Sequence, residues 1–252
     1  MIHRAMIFAA GRGTRLAPLT DRVPKPLLPV GGRPLIEHIL EFLVAGGIRE
    51  VVINLHHLGH LIEQHLGDGR RFGVRIHYSW EETILDTGGG LKHAQPLLAD
   101  EPFVVINGDS LLELALEELV AYHRARGAVA TIAVRPDPEA ARYGLIELDE
   151  ADRVRRISGL PAEIPVGRLR GFMFPGLHVL EPEVFSWMEP GLAYGVMKVT
   201  YPRLLAAGLP VAGMVTRARW VNIDTPEALA SADAMLRETP FHYPRMSRGG
   251  NT

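Results

Sequence analysis

The hydrophobic residues in the first half of the chain follow two alternating patterns. Apolar runs without polar interruption occur at residues 5–10, 51–53 and 103–106, which predicts strands buried on both faces of a parallel sheet. Apolar residues recur at helical spacing after Pro34, between the first two runs, and a further helix is predicted over residues 116–126. Because strands and helices alternate, we expect an α/β protein with a Rossmann-like, mostly parallel central sheet flanked by helices.

The pattern changes after Pro136. Short alternating segments at 144–148 and 154–157 are separated by charged turns and prolines, which predicts a small mixed β/α subregion on one side of the sheet. The last residues combine prolines, basic residues and glycines without periodicity, which is typical of a loose tail. The expected organisation is a single domain over 1–238, with a first part at about 1–135, a second part at about 136–238, and a loose tail at 239–252.

The composition narrows the possible functions. Of the 252 residues, 47% are hydrophobic and 22% are charged, as in soluble globular proteins. The net charge of −2 gives no electrostatic footprint for nucleic acid, so no nucleic-acid partner is expected. The absence of cysteine excludes disulfides and thiol catalysis. Since no apolar run approaches about 18 residues and the chain begins directly with a strand, we expect a cytoplasmic protein without membrane contact.

A loop rich in glycine and arginine directly follows the first predicted strand. Gly11 and Gly13 leave room for backbone N–H groups to approach an anion, which a Cβ atom would keep at a distance. Arg15 offers a forked donor to phosphate oxygens, and Lys25 stands between two prolines that limit the entropy lost in aiming its ammonium. Together these residues predict a polyphosphate site; an ordinary polar turn with solvated charges is the alternative interpretation.

The residues after Gly13 exclude two better-known glycine loops. A P-loop requires Gly-Lys followed by Ser or Thr, whereas Gly13 is followed by Thr14 and Arg15. A dinucleotide-binding fingerprint requires a third Gly or Ala where Leu16 stands. The loop therefore belongs to neither class.

A carboxylate is expected at the same edge of the sheet. The predicted strand at 103–106 is followed by Asn107, Gly108 and Asp109, and ligands of open α/β sheets bind at the carboxyl ends of the strands. Carboxylate oxygen suits Mg²⁺, which needs one or two carboxylates and takes its other ligands from phosphates and water. Asp109 is therefore the first candidate metal ligand.

The glycine loop, Gly11-Arg12-Gly13-Thr14-Arg15-Leu16, together with Pro24-Lys25-Pro26, resembles the signature of the sugar-1-phosphate nucleotidyltransferases, also called NDP-sugar pyrophosphorylases. Further segments match that family, so the resemblance covers most of the chain up to about residue 238. It implies the nucleotide-diphospho-sugar transferase fold, in which the first part binds the nucleotide and the second part binds the sugar phosphate. It also implies Mg²⁺-dependent transfer of a nucleotidyl group to a sugar 1-phosphate, with release of pyrophosphate.

The resemblance further implies roles for individual residues. Arg15 and Lys25 correspond to the catalytic cations. The nucleotide-binding positions are Ala10, Gly11, Gly13, Thr14, Glu81, Thr87, Gly88, Gly89 and Asn107. The sugar-binding positions are Tyr143, Gly144 and Gly176, and the metal-binding positions are Asp109 and Asn222. Asp224, two residues after Asn222, is a third candidate metal ligand.

The chain departs from the family pattern at three places. In the glycine-rich segment Asp86 replaces the first glycine of the usual L-G-T-A-G, so the nucleobase stays open, and a flexible loop in which Thr87 acts as an N-cap is the alternative there. The usual acidic-Lys-Pro element that contacts the sugar phosphate is replaced by Ile157–Pro161, which lacks both charges. In the terminal W-x-D-I-G-T-P motif, Asn222 occupies the metal-binding aspartate and Asp224 occupies the glycine.

An amide oxygen brings no negative charge to a metal ion. Because residues two apart in an extended chain project to one side, Asp224 can compensate for Asn222. Alternatively, the exchange signals slow or lost catalysis.

We therefore expect an enzyme that uses a nucleoside triphosphate, UTP or GTP, and a sugar 1-phosphate, as a monomer or homodimer. It is similar to N-acetylmuramate-1-phosphate uridylyltransferases and mannose-1-phosphate guanylyltransferases. Two alternatives stay open: a non-catalytic nucleotide-sugar-binding subunit, and a cytidylyltransferase acting on a phosphoalcohol such as phosphocholine.

Overall fold

The structure, a computed structural model, describes residues 2–162 and 167–243. In chain order its strands are β1 (Arg4–Phe8), β2 (Pro29–Val30), β3 (Arg33–Pro34), β4 (Glu50–Leu55), β5 (Arg75–Trp80), β6 (Phe103–Asn107), β7 (Ser110–Leu112), β8 (Ala130–Val134), β9 (Ile146–Leu148), β10 (Val154–Ile157), β11 (Arg170–Phe172), β12 (Leu177–Leu180), β13 (Val211–Val215) and β14 (Trp220–Asn222). Its α-helices are α1 (Leu35–Ala45), α2 (Gly59–Leu66), α3 (Asp86–His93), α4 (Leu116–Arg126), α5 (Tyr201–Ala206) and α6 (Pro226–Glu238).

A seven-stranded sheet forms the centre of the described residues, in the order β13-β8-β12-β6-β1-β4-β5. All neighbours pair in parallel except β12, which is antiparallel to β6 and to β8. The predicted mostly parallel α/β fold is therefore confirmed. Strands β9, β10 and β11 form a separate antiparallel sheet, which is the mixed subregion expected after Pro136.

The continuous apolar runs are explained by burial on both faces of the central sheet. Along β1, Ala5 and Ile7 belong to the hydrophobic core on one face, with α1, whereas Met6 belongs to the core on the other face, with α5. All three side chains are completely buried. A strand covered on both faces needs apolar residues at every position, so it shows no alternation.

The expected loose tail is wrong for its first part. Phe241 and Tyr243 are buried in the core, where the ring of Tyr243 meets that of Phe42 edge to face, with the ring centroids 5.4 Å apart. Arg219 lies over the ring of Phe241 and donates hydrogen bonds to the carbonyl oxygens at 239 and 240. Two aromatic residues without helical or strand periodicity thus fill a slot beside α1, while residues 244–252 lie outside the described part of the chain.

The carboxyl ends of β1, β4 and β6 meet at one edge of the central sheet. Beside this edge, β7 and β14 pair antiparallel, with Asn222 opposite Ser110. This pairing carries the last motif of the sequence to the loop that follows β6. In the described residues, no helix has both the length and the apolar character needed to cross a membrane.

Candidate active site

A cleft of about 550 Å³ opens at this edge of the central sheet. It is lined by backbone from the glycine loop on one side and by charged side chains from the loops after β6 and β14 on the other. The structure brings most of the predicted site residues together there. Those that line the cleft are Ala10, Gly11, Gly13, Thr14, Arg15, Lys25, Glu81, Thr87, Asn107, Asp109 and Asp224.

The glycine loop has a backbone that requires glycine at one position. Gly13 has a φ of +64°, and a Cβ atom there would lie 2.9 Å from Cγ2 of Thr20. Thr20 is buried and donates a hydrogen bond from its hydroxyl to the carbonyl oxygen of Gly13 at 2.9 Å. The loop is therefore held from behind by its own chain, and its open side faces the cleft.

Lys25 bridges the two carboxylates of the site. Its Nζ donates to Asp109 Oδ2 at 2.9 Å and to Asp224 Oδ1 at 2.8 Å. Arg15 also pairs with Asp224 Oδ1 through Nη2 at 2.9 Å. The Lys25 side chain is only 12% exposed, whereas that of Arg15 is 68% exposed. The stem of Lys25 thus lies in the wall of the cleft with its ammonium between the two carboxylates, whereas Arg15 pairs with Asp224 from an exposed position.

The backbone pairing explains why residues so distant in sequence meet. The N–H of Ile223 donates to the carbonyl oxygen of Asp109 at 2.9 Å, which extends the ladder between β7 and β14 by one residue. The two aspartates therefore come from neighbouring extended segments. Asn222, which does not itself line the cleft, donates from Nδ2 to Asp224 Oδ2 at 2.6 Å and fixes that carboxylate from the side.

The charge state of Asp224 follows from these contacts. Partial burial by itself would raise the pKa of this carboxyl group. The hydrogen bond and the charge of Lys25, the charge of Arg15 and the hydrogen bond from Asn222 outweigh that effect, so the pKa of Asp224 lies below its ordinary value. Asp224 is accordingly a carboxylate at neutral pH, as a metal ligand must be.

The residues present fit a hard divalent cation. Asp109 and Asp224 offer carboxylate oxygens to one point, the position that the Lys25 ammonium takes in this structure, and Asn222 adds an amide group beside them. In the part of the chain that the structure describes, no group of three or more His, Cys, Asp or Glu side chains could hold a metal. Two carboxylates without further protein ligands suit Mg²⁺, which completes its shell with phosphate and water.

The glycine-rich start of α3 is placed differently from the expectation. The N–H groups of Gly88 and Gly89 donate to the carbonyl oxygen of Tyr194, and a Cβ atom on Gly89 would lie 2.1 Å from the carbonyl oxygen of Leu192. In the described residues, the group that lies close to this backbone is thus the protein's own segment at 192–194. Neither glycine lines the cleft, so their contact with a nucleotide stays a prediction.

The two residues before these glycines do line the cleft. Asp86 has a φ of +56°, a left-handed conformation that favours glycine and that Asp tolerates, which explains why the family pattern has glycine there. Thr87 accepts a hydrogen bond at its hydroxyl from the N–H of Val196, so its side chain ties α3 to the second part of the chain rather than capping the helix. Asp86 is a cleft residue that sequence reasoning treated only as a departure.

Of the predicted sugar-binding residues, Gly144 and Gly176 do not line the described cleft. Gly176 supports Asn107 from behind, since its carbonyl oxygen accepts from the N–H of Asn107 at 2.8 Å. Gly144 lies near the hydroxyl of Ser158. The side chain of Tyr143 lies outside what the structure describes, so its predicted role is not tested.

One buried polar residue of the site was missed. Asn54, the fifth residue of β4, lines the cleft and contacts both Ala9 and Glu81. The available signal was an asparagine near the end of an apolar strand, the same signal that Asn107 gives after the run at 103–106. A buried Asn within an otherwise apolar strand is expected only where hydrogen bonds satisfy its amide group.

Comparison with known proteins gives a consistent picture. A family model described as nucleotidyl transferase matches residues 4–239. The chain is 35% identical over 233 residues to UTP–glucose-1-phosphate uridylyltransferase of Synechocystis sp., a match that covers 87% of this chain and 60% of that protein. It is 36% identical over 236 residues to N-acetylmuramate alpha-1-phosphate uridylyltransferase of Neisseria meningitidis, covering 92% of this chain and 97% of that protein.

The fold is also found among solved structures. A putative glucose-1-phosphate thymidylyltransferase from Bacillus anthracis superposes with a TM-score of 0.80 at 22% identity, covering 96% of this chain and 98% of that one. At this identity the likeness establishes the architecture. The chain thus spans nearly the whole of some similar proteins and 60% of the Synechocystis relative.

Proposed function

The chain belongs to the nucleotidyl transferase family, and we propose that it transfers a nucleotidyl group from a nucleoside triphosphate to a sugar 1-phosphate, releasing pyrophosphate. The observation that carries the proposal is the bridging position of Lys25 between Asp109 and Asp224, at the mouth of the glycine loop. A fixed cation, two carboxylates and open backbone N–H groups in one cleft are the parts that phosphoryl-type transfer needs.

The reaction requires no nucleophile from the protein. A phosphate oxygen of the sugar 1-phosphate is already ionised; it forms a bond to the α-phosphorus while the bond from that phosphorus to the bridging oxygen breaks and pyrophosphate leaves. The obstacle is repulsion, because two unit charges about 4 Å apart interact by about 4 kcal/mol at an effective dielectric constant of about 20. Since several such pairs meet, catalysis consists mainly of screening charge.

The residues of the cleft divide this task. The N–H groups of the loop at Gly11–Thr14 and the exposed guanidinium of Arg15 bind the β- and γ-phosphates and stabilise the departing pyrophosphate. Lys25 neutralises the charge that builds up on the α-phosphate. To do so its ammonium moves only from the carboxylates at the cleft wall towards the bound phosphate.

Asp109 and Asp224, with the amide of Asn222, would hold Mg²⁺. When bound, the ion supplies positive charge that neutralises phosphate oxygens and orients them for in-line displacement. Asp224 takes the place of the carboxylate that Asn222 lacks, because its side chain reaches the same Lys25 ammonium as Asp109 does.

Among the nucleotides, UTP is proposed first, since both quoted relatives are named uridylyltransferases. GTP is the second choice, from the resemblance to mannose-1-phosphate guanylyltransferases. The acceptor is proposed only as a sugar 1-phosphate, because Gly144 and Gly176 do not line the described cleft and so do not indicate which sugar binds.

The test is pyrophosphate release from each of the four common triphosphates, with a panel of sugar 1-phosphates and phosphocholine as acceptors, in the presence of Mg²⁺. Release with UTP or GTP and a sugar 1-phosphate supports the proposal. Release only with CTP and phosphocholine would assign a cytidylyltransferase, and nucleotide-sugar binding without any release would assign a non-catalytic subunit. Either of these results overturns the proposed reaction.

A further inference from the structure

A chain of buried hydrogen bonds links the two sides of the cleft. The N–H of Ala9 donates to Asn54 Oδ1 at 2.8 Å, and Asn54 Nδ2 donates to Glu81 Oε1 at 2.8 Å. The other oxygen of Glu81, Oε2, accepts from the N–H of Leu85 at 2.9 Å. The chain therefore runs from the residue just after β1, through the ends of β4 and β5, to the residue just before α3.

This network lies inside the protein. Asn54 is 3% exposed and Glu81 is 4% exposed. No lysine or arginine pairs with Glu81 in the described residues, so neutral donors alone satisfy its carboxylate. A Cβ atom on Gly90 would lie 2.5 Å from Glu81 Oε1, so α3 approaches the pair with no space to spare. Burying a carboxylate without a cation costs free energy that hydrogen bonds from neutral donors offset only in part.

Its two ends are the points from which the nucleotide-binding segments begin. Ala9 is followed at once by Ala10 and the glycine loop, where the phosphates are proposed to bind. Leu85 is followed at once by Asp86 and Thr87, on the opposite wall of the cleft. A nucleoside triphosphate must contact both walls, so their separation decides how well it fits.

We propose that Asn54 and Glu81 are positioning residues that set the distance between the glycine loop and the start of α3 for a nucleoside triphosphate. This inference rests on the proposed function, and it assigns to Glu81 a role through the backbone rather than a direct contact with the nucleotide. Asn54 and Glu81 touch the backbone of both walls and share one hydrogen bond, so neither can act alone.

The directions of these hydrogen bonds make the proposal testable. Both ends of the network, at Ala9 and Leu85, are N–H donors, so the two side chains between them must include one group that only accepts. In Glu81→Gln both side chains are amides, and one donor faces another whichever way the amides rotate. In Asn54→Asp both are carboxylates, and two acceptors face each other. In the double variant Asn54→Asp/Glu81→Gln every donor again has an acceptor.

The experiment measures the Kd for UTP and for GTP by calorimetry at pH 8, without a sugar phosphate, together with KM, kcat and the thermal midpoint. We expect each single variant to raise the Kd about tenfold or more. The mismatched pair changes the distance between the two walls, and the free energy of one unsatisfied buried group corresponds to about a tenfold change in an equilibrium constant. The double variant returns to within about threefold of the wild type. Glu82→Gln, the same change at the exposed neighbouring residue, serves as the control and leaves the Kd unchanged.

Other results overturn the inference. If the double variant folds but binds no better than the worse single variant, the carboxylate at Glu81 contacts the nucleotide itself. If the single variants lower only the thermal midpoint and leave the Kd unchanged, the network is merely structural. A wild-type protein that binds a triphosphate without releasing pyrophosphate refutes the proposed function alone, whereas failure to bind any triphosphate refutes both.

Discussion

Replacing Lys25 by methionine removes one charge and little else. Methionine keeps the length of the aliphatic stem, so the packing of the Lys25 side chain against the cleft wall is largely retained. What disappears is the ammonium that contacts Asp109 at 2.9 Å and Asp224 at 2.8 Å. The two carboxylates then face each other, with Arg15 and Asn222 as the remaining partners of Asp224.

The expected loss of stability depends on how deeply the ion pairs of Lys25 are buried. Removing one partner of a fully buried ion pair costs about 3–5 kcal/mol, because the other charge is left uncompensated. The side chains of Asp224 and Asp109 are 16% and 30% exposed, so water screens part of this penalty. We therefore expect Lys25→Met to lower the free energy of unfolding by about 2–3 kcal/mol at pH 7 without divalent ions.

The loss of stability in Lys25→Met should become smaller as the pH is lowered. In the wild type the pKa of Asp224 lies below its ordinary value, so its stabilising effect is complete above about pH 4 and declines only as the pH falls through the folded-state pKa. Without Lys25 the largest contributions that oppose the effect of burial are lost, and the pKa of Asp224 rises. The variant can then relieve its repulsion by binding a proton, so the difference from wild type shrinks as the pH is lowered towards 4.

The assay is urea unfolding at pH 7 and at pH 4.5, in EDTA and in Mg²⁺, for wild type, Lys25→Met and the control Lys198→Met, a change at an exposed lysine. Mg²⁺ should stabilise Lys25→Met more than the wild type, because the ion can take the place of the ammonium between the carboxylates. Turnover should fall by about 10²–10³. A difference below about 0.5 kcal/mol at pH 7, or one that does not change with pH, would show that the pair with Asp109 and Asp224 is not the interaction that Lys25 makes.

Three further changes probe other parts of the molecule. Phe241→Ala should lower the free energy of unfolding by about 3 kcal/mol in urea, because its ring is buried beside Tyr243; a loss below about 1 kcal/mol would mean that this segment is not docked in solution. Burial lowers the pKa of His178 to about 3, so the folded form stays neutral while the unfolded chain binds a proton below about pH 6.5, and stability should fall by about 2–3 kcal/mol between pH 6.5 and 4.5. His178→Gln should remove that part of the pH dependence, and an unchanged slope in urea titrations would contradict a neutral buried imidazole. Asn222→Asp replaces the donor to Asp224 by a third carboxylate, so it should make the thermal midpoint depend strongly on Mg²⁺ and raise the affinity for Mn²⁺, measured by calorimetry, at least about tenfold; equal affinity would remove Asn222 from the metal site.

The fold was largely predictable because its signals are local. Helix α4 and strand β10 begin and end where the hydrophobic pattern placed them, since burial on one or both faces leaves its period in the sequence. The slot filled by Phe241 was not predictable, because nothing in the tail itself indicates that α1 leaves an apolar groove beside it. Pairing between distant segments leaves no local trace.

The residues of the site were likewise predictable where their signal is local and not where it depends on contacts between distant segments. Gly13, Arg15 and Lys25 were found because one loop contains them, and their spacing alone suggests phosphate. The resemblance assigned Gly88 and Gly89 to nucleotide binding, but nothing in the sequence indicates that the carbonyl oxygen of Leu192 approaches this backbone. Asn54 and its partner Glu81 lie in separate motifs, and only the parallel register of β1, β4 and β5 brings them into contact.

The exchange at 222 and 224 moves a charge along the chain without changing the charge balance of the site. The formal charges of Arg15, Lys25, Asp109 and Asp224 sum to zero. The sum would be the same if the aspartate stood at 222 and a glycine at 224. Because the segment from Asn222 to Asp224 is extended and held to Asp109 by the Ile223 hydrogen bond, a shift of two residues keeps the carboxylate on the same side of the chain. The amide of Asn222 then serves to orient the displaced carboxylate, at 2.6 Å from its Oδ2. The departure from the family motif thus preserves the electrostatic arrangement that nucleotidyl transfer requires, which favours an active enzyme over a binding subunit.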